Sequence, residues 1–333
     1  MTNPKNNKWK DYFLKSGVPL EYEIKNLLDK YGCLTAFENS YLRKDKSNIL
    51  TEFSYDINST LVEESNFFEL MIECKYRDPS TDWIFLPGQK INRKSLSFNS
   101  ILHPNDHFTI ENKFNFKTYE MPFLAQNGSK GIEITNDGQN PKSITQAINQ
   151  LSYGLSRNYL DAMISQLESN DGLEDMIYFH IPIIVTTANL YLLNENTSID
   201  NIKESNNLED IATKQKHLAI NCETGKDLEN YNKEIFNNLL KRFDKNYLKN
   251  RLESDFDDVE TLISVLSKHS CPSSIYVIHH DSKSNSFEEL FNLIREIIYP
   301  TQKTIRFMKD KSTKDYAKRM LISRMAEDKD LPF

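Results

Sequence analysis

The residues that could carry out chemistry lie in one short segment, 69–77, with the sequence Glu-Leu-Met-Ile-Glu-Cys-Lys-Tyr-Arg. Successive side chains of a β-strand point to opposite faces, so Glu73 and Lys75 share one face while Cys74 lies on the other. An apolar strand thus carries an acid and a base side by side. With Asp56 supplied by the preceding strand, this pattern is what a Mg²⁺-dependent site for cleaving phosphodiester bonds requires.

Two strands joined by a short turn must position these side chains. Residues 49–58 alternate between apolar and polar, and the polar face carries Glu52 and Asp56. The acidic turn that follows is short, which predicts an antiparallel hairpin with the strand 67–76. In that hairpin Asp56 lies beside Glu73, and Glu52 is a candidate auxiliary ligand.

Two predicted helices carry further polar groups. Apolar residues recur at helical spacing in 20–31, and this helix bears Glu21 and Glu23. From the residues alone, Glu21 fits a solvated acid in the first turn as well as a catalytic group. A longer helix begins with Ser143 as its predicted N-cap. Beside its apolar stripe stand Gln146, Gln150, Tyr153 and Arg157, spaced four, three and four residues apart.

The rest of the chain is predicted to complete an α/β fold. Residues 177–193 are continuously apolar, which predicts a pair of strands at the protected centre of a sheet. Residues 194–210 are predicted to form a surface loop. Further strands are predicted at 33–42, 83–87, 217–221 and 274–279, and further helices at 8–15, 227–268 and 287–298.

Composition limits the classes of function. The 333 residues are 38% hydrophobic, enough for one large domain or two modest ones. With 41 Lys and Arg against 48 Asp and Glu, the net charge is −7, so any nucleic-acid contact must come from local patches. The absence of a signal core and of a long apolar segment predicts a soluble, cytoplasmic protein. Reduced thiols are expected because no CxxC pair occurs among Cys33, Cys74, Cys222 and Cys271.

The order of these features resembles the PD-(D/E)xK nuclease superfamily, in its restriction-endonuclease-like, Mrr-type branch. Tyr55 stands where the proline of the superfamily name precedes the aspartate, a proline that many members have lost. The resemblance covers about 17–193 and rests on Gly17-Val-Pro-Leu-Glu21, Ser54-Tyr-Asp56-Ile57, Ile72-Glu-Cys-Lys-Tyr76, Trp83-Ile-Phe85 and Gln146-Ala-Ile-Asn-Gln150-Leu.

The resemblance implies a restriction-endonuclease-like core with a central mixed sheet flanked by helices. This core would span 1–193 with an insertion at 88–142, and a C-terminal α/β extension, rich in helices, would pack on it at 194–333. The insertion is favoured as a structural excursion, and substrate recognition or a dimer contact are its alternatives. Candidate DNA contacts are Lys90, Arg93, Lys94 and Arg157. The segment 301–325 lies outside the resemblance and has eight Lys or Arg against two acids, which fits an ordinary amphipathic helix with a solvated basic face as well as a DNA contact.

The activity that the resemblance implies is endonucleolytic cleavage of DNA with Mg²⁺, for which Mn²⁺ can substitute, in restriction or anti-phage defence. Asp56, Glu73 and the backbone carbonyl of Cys74 would hold the ion. Lys75 would orient or deprotonate the attacking water and offset charge on phosphorus. Glu21 would anchor the water network or a second ion.

Gln150 would hydrogen-bond to the phosphate or to Lys75. Glu23 competes with Glu21, and Gln146 competes with Gln150. A homodimer or larger assembly is expected because cutting both strands needs two sites, and restraint in the cell suggests a defence-system partner protein.

Two other functions stay open: a nucleic-acid-binding or interaction module without catalysis, and an RNase with the same site. Weaker metal candidates are His279-His-Asp281, whose histidines point to opposite faces of a strand, and the pair His103 and His107, where Pro104 disfavours a helix.

Overall fold

The computed structural model describes residues 8–44, 49–88, 101–111, 125–168, 172–252, 256 and 258–306. Within them the chain forms an α/β fold in which helices flank one large mixed sheet. The candidate DNA contacts Lys90, Arg93 and Lys94 lie outside the described residues, as does most of the basic segment 301–325.

The elements follow the chain in two runs. The first comprises α1 (Lys8–Lys15), α2 (Val18–Asp29), β1 (Leu34–Lys44), β2 (Leu50–Glu63), β3 (Asn66–Lys75), β4 (Asp82–Pro87), β5 (Pro104–Asn105), β6 (Gln126–Thr135), β7 (Gly138–Asn140) and α3 (Ser143–Glu168). The second comprises β8 (Ile177–Thr186), β9 (Asn189–Leu193), α4 (Ile199–Glu204), β10 (Ala212–Gln215), β11 (His217–Asn221), α5 (Lys226–Phe236), α6 (Asn238–Arg242), α7 (Lys245–Arg251), α8 (Val259–Val265), β12 (Ser274–His279) and α9 (Glu288–Ile298).

The strands lie in the order β1-β2-β3-β8-β12-β11-β6-β4-β9-β10, with β5 beside β8 and β7 beside β6. The neighbours β1, β2 and β3 pair antiparallel, whereas β3, β8 and β12 pair parallel. All ten residues of β8 are buried, because strands cover both of its edges and helices cover both of its faces. This position explains the continuously apolar sequence of β8.

The sheet separates two hydrophobic cores. On one face, α3 packs with α5 and α8 over side chains that include Tyr55, Met71 and Ile184. On the other face, α2 and α9 pack over side chains that include Ile57 and Ile72. The helix–sheet–helix layering follows from strands that alternate their side chains between two buried faces.

The structure confirms the local predictions. Strands β2 and β3 form the expected antiparallel hairpin. The long helix α3 begins at Ser143, and β11 and β12 have the predicted bounds. None of the helices in the described ranges has the length and hydropathy needed to cross a bilayer.

One prediction about the sheet and one about a loop are wrong. The strands within 177–193 are not partners: β8 pairs with β3 and β12, whereas β9 pairs with β4 and β10. A strand has only two edges, and both edges of β8 are already occupied. The predicted loop 194–210 contains the helix α4, whose N-cap Ser198 accepts a hydrogen bond from the backbone N–H of Asn201.

The sheet extends across the predicted boundaries. Strand β6, from the stretch predicted as an insertion, lies between β11 and β4 and is an integral strand of the sheet. Strands β10, β11 and β12 come from the predicted C-terminal extension, and β12 lies directly beside β8.

Candidate active site

The candidate site lies where β2 and β3 separate. Their paired register runs from Glu63 opposite Asn66 to Ile57 opposite Ile72, while β3 continues beside β8 as far as Lys75. Just past the paired part, an oxygen of the Asp56 carboxylate accepts a hydrogen bond of 2.7 Å from the backbone N–H of Cys74. A side chain thus takes the place of a backbone acceptor and fixes the aspartate at the opening.

Strand β2 changes face at Asp56. Tyr55 packs in the core under α3, whereas Ile57, two residues further on, packs in the core under α2. Residues two apart in a regular strand share a face, so the predicted single apolar face containing both of them is wrong. The register of β1 on β2 sets Glu38 across from Asp56, and Glu38 has a left-handed backbone with φ of 55°.

Glu73 is a buried carboxylate with one unsatisfied oxygen. Its side chain is 1% exposed; Oε1 accepts a hydrogen bond from the Lys75 ammonium, and Oε2 has no hydrogen-bond partner among the residues that the structure describes. Burial and the nearby negative charge of Asp56 raise the pKa of Glu73 to about 7, against the opposing effect of Lys75. Cys74 packs in the core on the opposite face, as the alternation of β3 predicts.

Glu21 reaches the same place from α2. Burial, Asp56 and Glu38 raise the pKa of its half-buried carboxyl, and Lys75 opposes the rise. Glu23 instead lies 3.3 Å from the Nε2 of His280, measured from its Oε1. The geometry therefore selects Glu21 from the two glutamates of the helix. We call Glu21, Asp56, Glu73 and Lys75 the acidic fork.

Glu38 is an acid near the fork that the sequence did not single out. It is exposed on β1, and its charge raises the pKa of both Asp56 and Glu21 after the larger effect of burial. In the sequence, only the charge of Glu38 sets it apart. Glutamate does not favour the left-handed backbone that Glu38 adopts, so its residue type does not predict this conformation. Glu52, the predicted auxiliary ligand, is exposed and lies opposite Leu42.

Gln150 ties α3 to β1 and β2, and β2 carries Asp56 of the fork. Its side-chain amide nitrogen donates to the backbone carbonyl of Ser54 over 3.1 Å, and its backbone carbonyl accepts a hydrogen bond of 2.8 Å from the Tyr41 hydroxyl. Gln146 is exposed one turn earlier. Of the two glutamines, Gln150 is the one that positions β2, two residues before Asp56.

Arg157 is half-buried further along α3. Burial raises the pKa values of Asp161 and Tyr231, and the charge of Arg157 opposes both rises, so it lies close to these two groups. The guanidinium therefore neighbours α5 as well as its own helix.

A buried polar network lies on the same face of β3 as the fork. The Glu69 carboxylate accepts hydrogen bonds from Nδ1 of His180 at 2.7 Å and from the amide of Asn158 at 2.8 Å. Asn158 also donates to the Tyr55 hydroxyl at 2.9 Å. The network joins β2, β3, β8 and α3 beneath the fork. Its sequence signal is the four-residue spacing of Glu69 and Glu73, which puts both on one face.

A second network fixes the end of β3. The Arg77 guanidinium donates to Glu133 on β6 at 2.6 Å and to the Ser143 hydroxyl at the start of α3 at 2.5 Å, and the Trp83 indole donates to Glu133 at 2.8 Å. Burial alone would raise the pKa of Glu133, but hydrogen bonds from Arg77, Ser143 and Trp83 outweigh it and lower that pKa. The arrangement anchors the strand two residues past Lys75.

The fork offers oxygen ligands of the kind Mg²⁺ prefers. In the part of the chain that the structure describes, no three Asp, Glu, His or Cys side chains come close enough to hold a metal by themselves. Asp56 and Glu73 supply two carboxylates, and Mg²⁺ usually keeps several waters when only one or two carboxylates bind it. The unpartnered, buried Oε2 of Glu73 is the observation that fits a cation, because an uncompensated carboxylate oxygen is costly to bury.

No protein-family model, no curated protein and no solved structure matches the chain. The chemistry therefore rests on the geometry of the acidic fork and on the physical properties of its residues.

Proposed function

We propose that the protein is a Mg²⁺-dependent endonuclease with a restriction-endonuclease-like core of the PD-(D/E)xK type, and that it hydrolyses phosphodiester bonds of DNA. The observation that carries the proposal is the opening between β2 and β3, where Asp56 and Glu73 come together with Lys75 on the same face. A buried acid beside a second acid lowers the stability of the fold, even when a lysine pairs with it. Groups of this kind cluster at functional sites.

Asp56, Glu73 and the backbone carbonyl of Cys74 would hold the ion, and Mn²⁺ would substitute for Mg²⁺. Bound there, it would polarise the scissile phosphate and lower the pKa of a water molecule. The raised pKa of Glu73 means that this carboxyl must lose its proton before it can bind, so activity would rise with pH around neutrality.

Lys75 would act on the phosphate and on the attacking water. Its ammonium donates to Glu73, which fixes the direction of its side chain. From that position it would donate hydrogen bonds to phosphate oxygens and offset the negative charge that builds on phosphorus. Removing the ammonium would therefore lower turnover more than it lowers substrate binding.

Glu21 would anchor the water network or a second ion, since it shares the electrostatic environment of Asp56 and Lys75. Gln150 would hold the Asp56 strand in place through its hydrogen bond to Ser54. This is a positioning role, whereas the sequence predicts a hydrogen bond from Gln150 to the phosphate or to Lys75.

The cellular setting would be restriction or anti-phage defence in the cytoplasm. Cutting both strands of a duplex needs two sites, so a homodimer or larger assembly is the corresponding proposal for the active form. Restraint of such an activity would come from a defence-system partner protein or from modified host DNA.

The test is a cleavage assay of the purified protein on plasmid, single-stranded DNA and RNA, with Mg²⁺, Mn²⁺ or chelator. We expect metal-dependent cutting of DNA by the wild type and its loss in Asp56→Ala and Lys75→Ala. Glu52→Ala is the matched control, since Glu52 is an exposed acid on the same strand as Asp56.

Cutting that survives Asp56→Ala and Lys75→Ala would overturn the site. Cutting of RNA alone would make the protein an RNase with the same fork. Binding of nucleic acid without any cutting would favour the interaction module.

A further inference from the structure

An apolar groove opens beside the acidic fork. Its volume is about 490 Å³, within the roughly 300–1,000 Å³ range of ligand pockets. Three aromatic rings, two small apolar side chains and one carboxylate line it: Phe13, Val18, Pro19, Glu21, Tyr22 and Phe37. The rings are not hidden in the fold, since Phe13 is 52%, Tyr22 61% and Phe37 45% exposed.

The helix α1 forms one wall of the groove and buries none of its residues against the described part of the chain. Trp9 precedes Phe13 by one helical turn and is 57% exposed, so the aromatic surface extends along this helix. Contiguous exposed apolar surface of this kind marks a binding site more often than a solvated face.

The groove is continuous with the acidic fork through Glu21. This carboxylate lines the groove, and its pKa responds to Asp56, Glu38 and Lys75. A molecule in the groove therefore lies next to the place where a phosphate would bind.

The charges of α1, which forms one wall of the groove, suit a polyanion, whereas the charged side chain of the lining itself is the Glu21 carboxylate. The eight residues of α1 carry three exposed lysines, Lys8, Lys10 and Lys15, against the single acid Asp11, in a chain whose net charge is −7. Aromatic rings beside lysines are the combination that binds single strands, because every base has a face that can stack and every phosphate a charge.

A second copy of the chain fits this surface less well. A two-fold contact places the same patch of both copies together, so the lysines of α1 would face one another. Like charges in contact repel, and the aromatic rings alone do not remove that cost.

We propose that this groove holds an unpaired nucleobase next to the scissile phosphate, and hence that the substrate is a single strand or an unpaired region of nucleic acid. The inference rests on the proposed function and deepens it. A base inside an intact duplex is stacked on its neighbours and reaches the groove only after unpairing, which costs a few kcal/mol. Single strands, flaps and frayed ends avoid that cost.

The chain contains its own reporter for the test. It has two tryptophans, and Trp83 is fully buried, so quenching of fluorescence by an added strand reports Trp9. Titrations are done in chelator, where the strand is not cut, with oligothymidylate, an abasic strand of the same length and a blunt hairpin duplex. We expect saturable quenching by oligothymidylate, and affinity for the abasic strand and the duplex weaker by about tenfold or more.

Phe13→Ala and Phe37→Ala should each weaken the binding of oligothymidylate by about tenfold while leaving the weak binding of the abasic strand unchanged. Tyr299→Ala is the matched control, because Tyr299 is an aromatic residue of similar exposure, 57%, that lies after α9, near Glu63. Equal affinity for strands with and without bases, or binding that ignores both substitutions, overturns the proposal. So does light scattering that shows a dimer converted to a monomer by Phe13→Ala and Phe37→Ala, since a second copy would then fill the groove.

Failure of the groove and failure of the nuclease proposal give different results. If cutting requires Asp56 and Lys75 but is unchanged by Phe13→Ala and Phe37→Ala on every substrate, only the groove proposal is contradicted. Base-dependent quenching without cutting of any substrate removes the nuclease proposal and leaves the groove as a binding site for unpaired bases.

Discussion

The carboxyl of Glu73 shows how much stability the fork costs. Without metal, the folded protein above about pH 7 must hold a buried negative charge that the unfolded chain leaves in water. Because the folded-state pKa is raised from 4.5 to about 7, the folded state binds more protons in this interval, and stability falls as pH rises through it. Above about pH 7 the full loss of stability is present, and below about pH 4.5 there is none.

Glu73→Gln removes this charge with little change of shape. We expect the metal-free variant to be more stable than the wild type by on the order of 3 kcal/mol above about pH 8, and nearly equal to it near pH 4. Urea unfolding in chelator at both pH values measures the difference. Glu52→Gln is the control, as it removes an exposed acid and should change stability little at either pH. If Glu73→Gln brings no gain in stability at high pH, the cost of burying the charge of Glu73 is contradicted.

Cys74 lies between Glu73 and Lys75 in β3 but faces the opposite side of the sheet. Its side chain is 5% exposed in the core under α2, and its pKa is raised by burial, so its sulfur is not a ligand or nucleophile at the fork. Cys74→Ser should cost about 1–3 kcal/mol of stability, because a hydroxyl is buried, yet keep most metal-dependent cleavage. Glu73→Ala should abolish it. Equal loss of cleavage in the two variants, each tested at a temperature where it is folded, would contradict the strand register.

At the scale of elements, the close approach of β6 and β4 depends on a glycine, which has no side chain. A Cβ on Gly131 would lie 2.4 Å from a ring carbon of Phe85, whereas a Cβ on Gly128 of the same strand would lie 3.4 Å from its nearest neighbour. Phe85 is fully buried and cannot move without opening the core. Gly131→Ala should therefore destabilise the protein by about 1–3 kcal/mol, and Gly128→Ala much less.

Thermal unfolding of the two alanine variants checks this comparison. The pair shares strand and substitution, and the space for a Cβ is much smaller at Gly131 than at Gly128. A Gly128→Ala variant as unstable as Gly131→Ala would show that backbone freedom, not the contact with Phe85, decides the cost.

The elements around the fork were largely predictable, because periodicity is a local signal. The short turn between β2 and β3 predicted their antiparallel pairing, and the apolar stripe after Ser143 predicted α3. The face change at Asp56 was not predictable: it comes with the left-handed backbone of Glu38 on the neighbouring strand, which has no counterpart in residue type. Glu38 was missed for the same reason.

At the scale of the molecule, the periodicity of the sequence could not predict the order of the strands in the sheet. Strand β12 lies beside β8, and β11 joins it to β6, although long stretches of chain separate these strands. The alternation of apolar and polar residues indicates which faces of a strand are buried, but it does not indicate which strand lies at its edge. The choice of the wrong partner for β8, its neighbour in sequence β9, has this cause.

The order of the strands also bears on the predicted boundary between 1–193 and 194–333. Within the first segment, β1, β2, β3 and β8 form one group and β6, β4 and β9 another, and the two groups are joined in the sheet through β12 and β11. Both cores also lose buried side chains when the second segment is removed, among them Phe236 on one face and Phe291 on the other. The fork belongs to the first group but depends on β8, whose open edge would then face water.

We therefore expect the fragment 1–193 not to unfold cooperatively in urea and to be degraded rapidly by protease, whereas the whole chain unfolds in one transition. Co-expression of 194–333 with it should restore a folded complex, because the missing strands can still insert between β8 and β6. A fragment 1–193 that unfolds cooperatively on its own would contradict this and support two independent domains. In that case β8 would have to be stable with one edge unpaired, and its ten buried residues would need another cover.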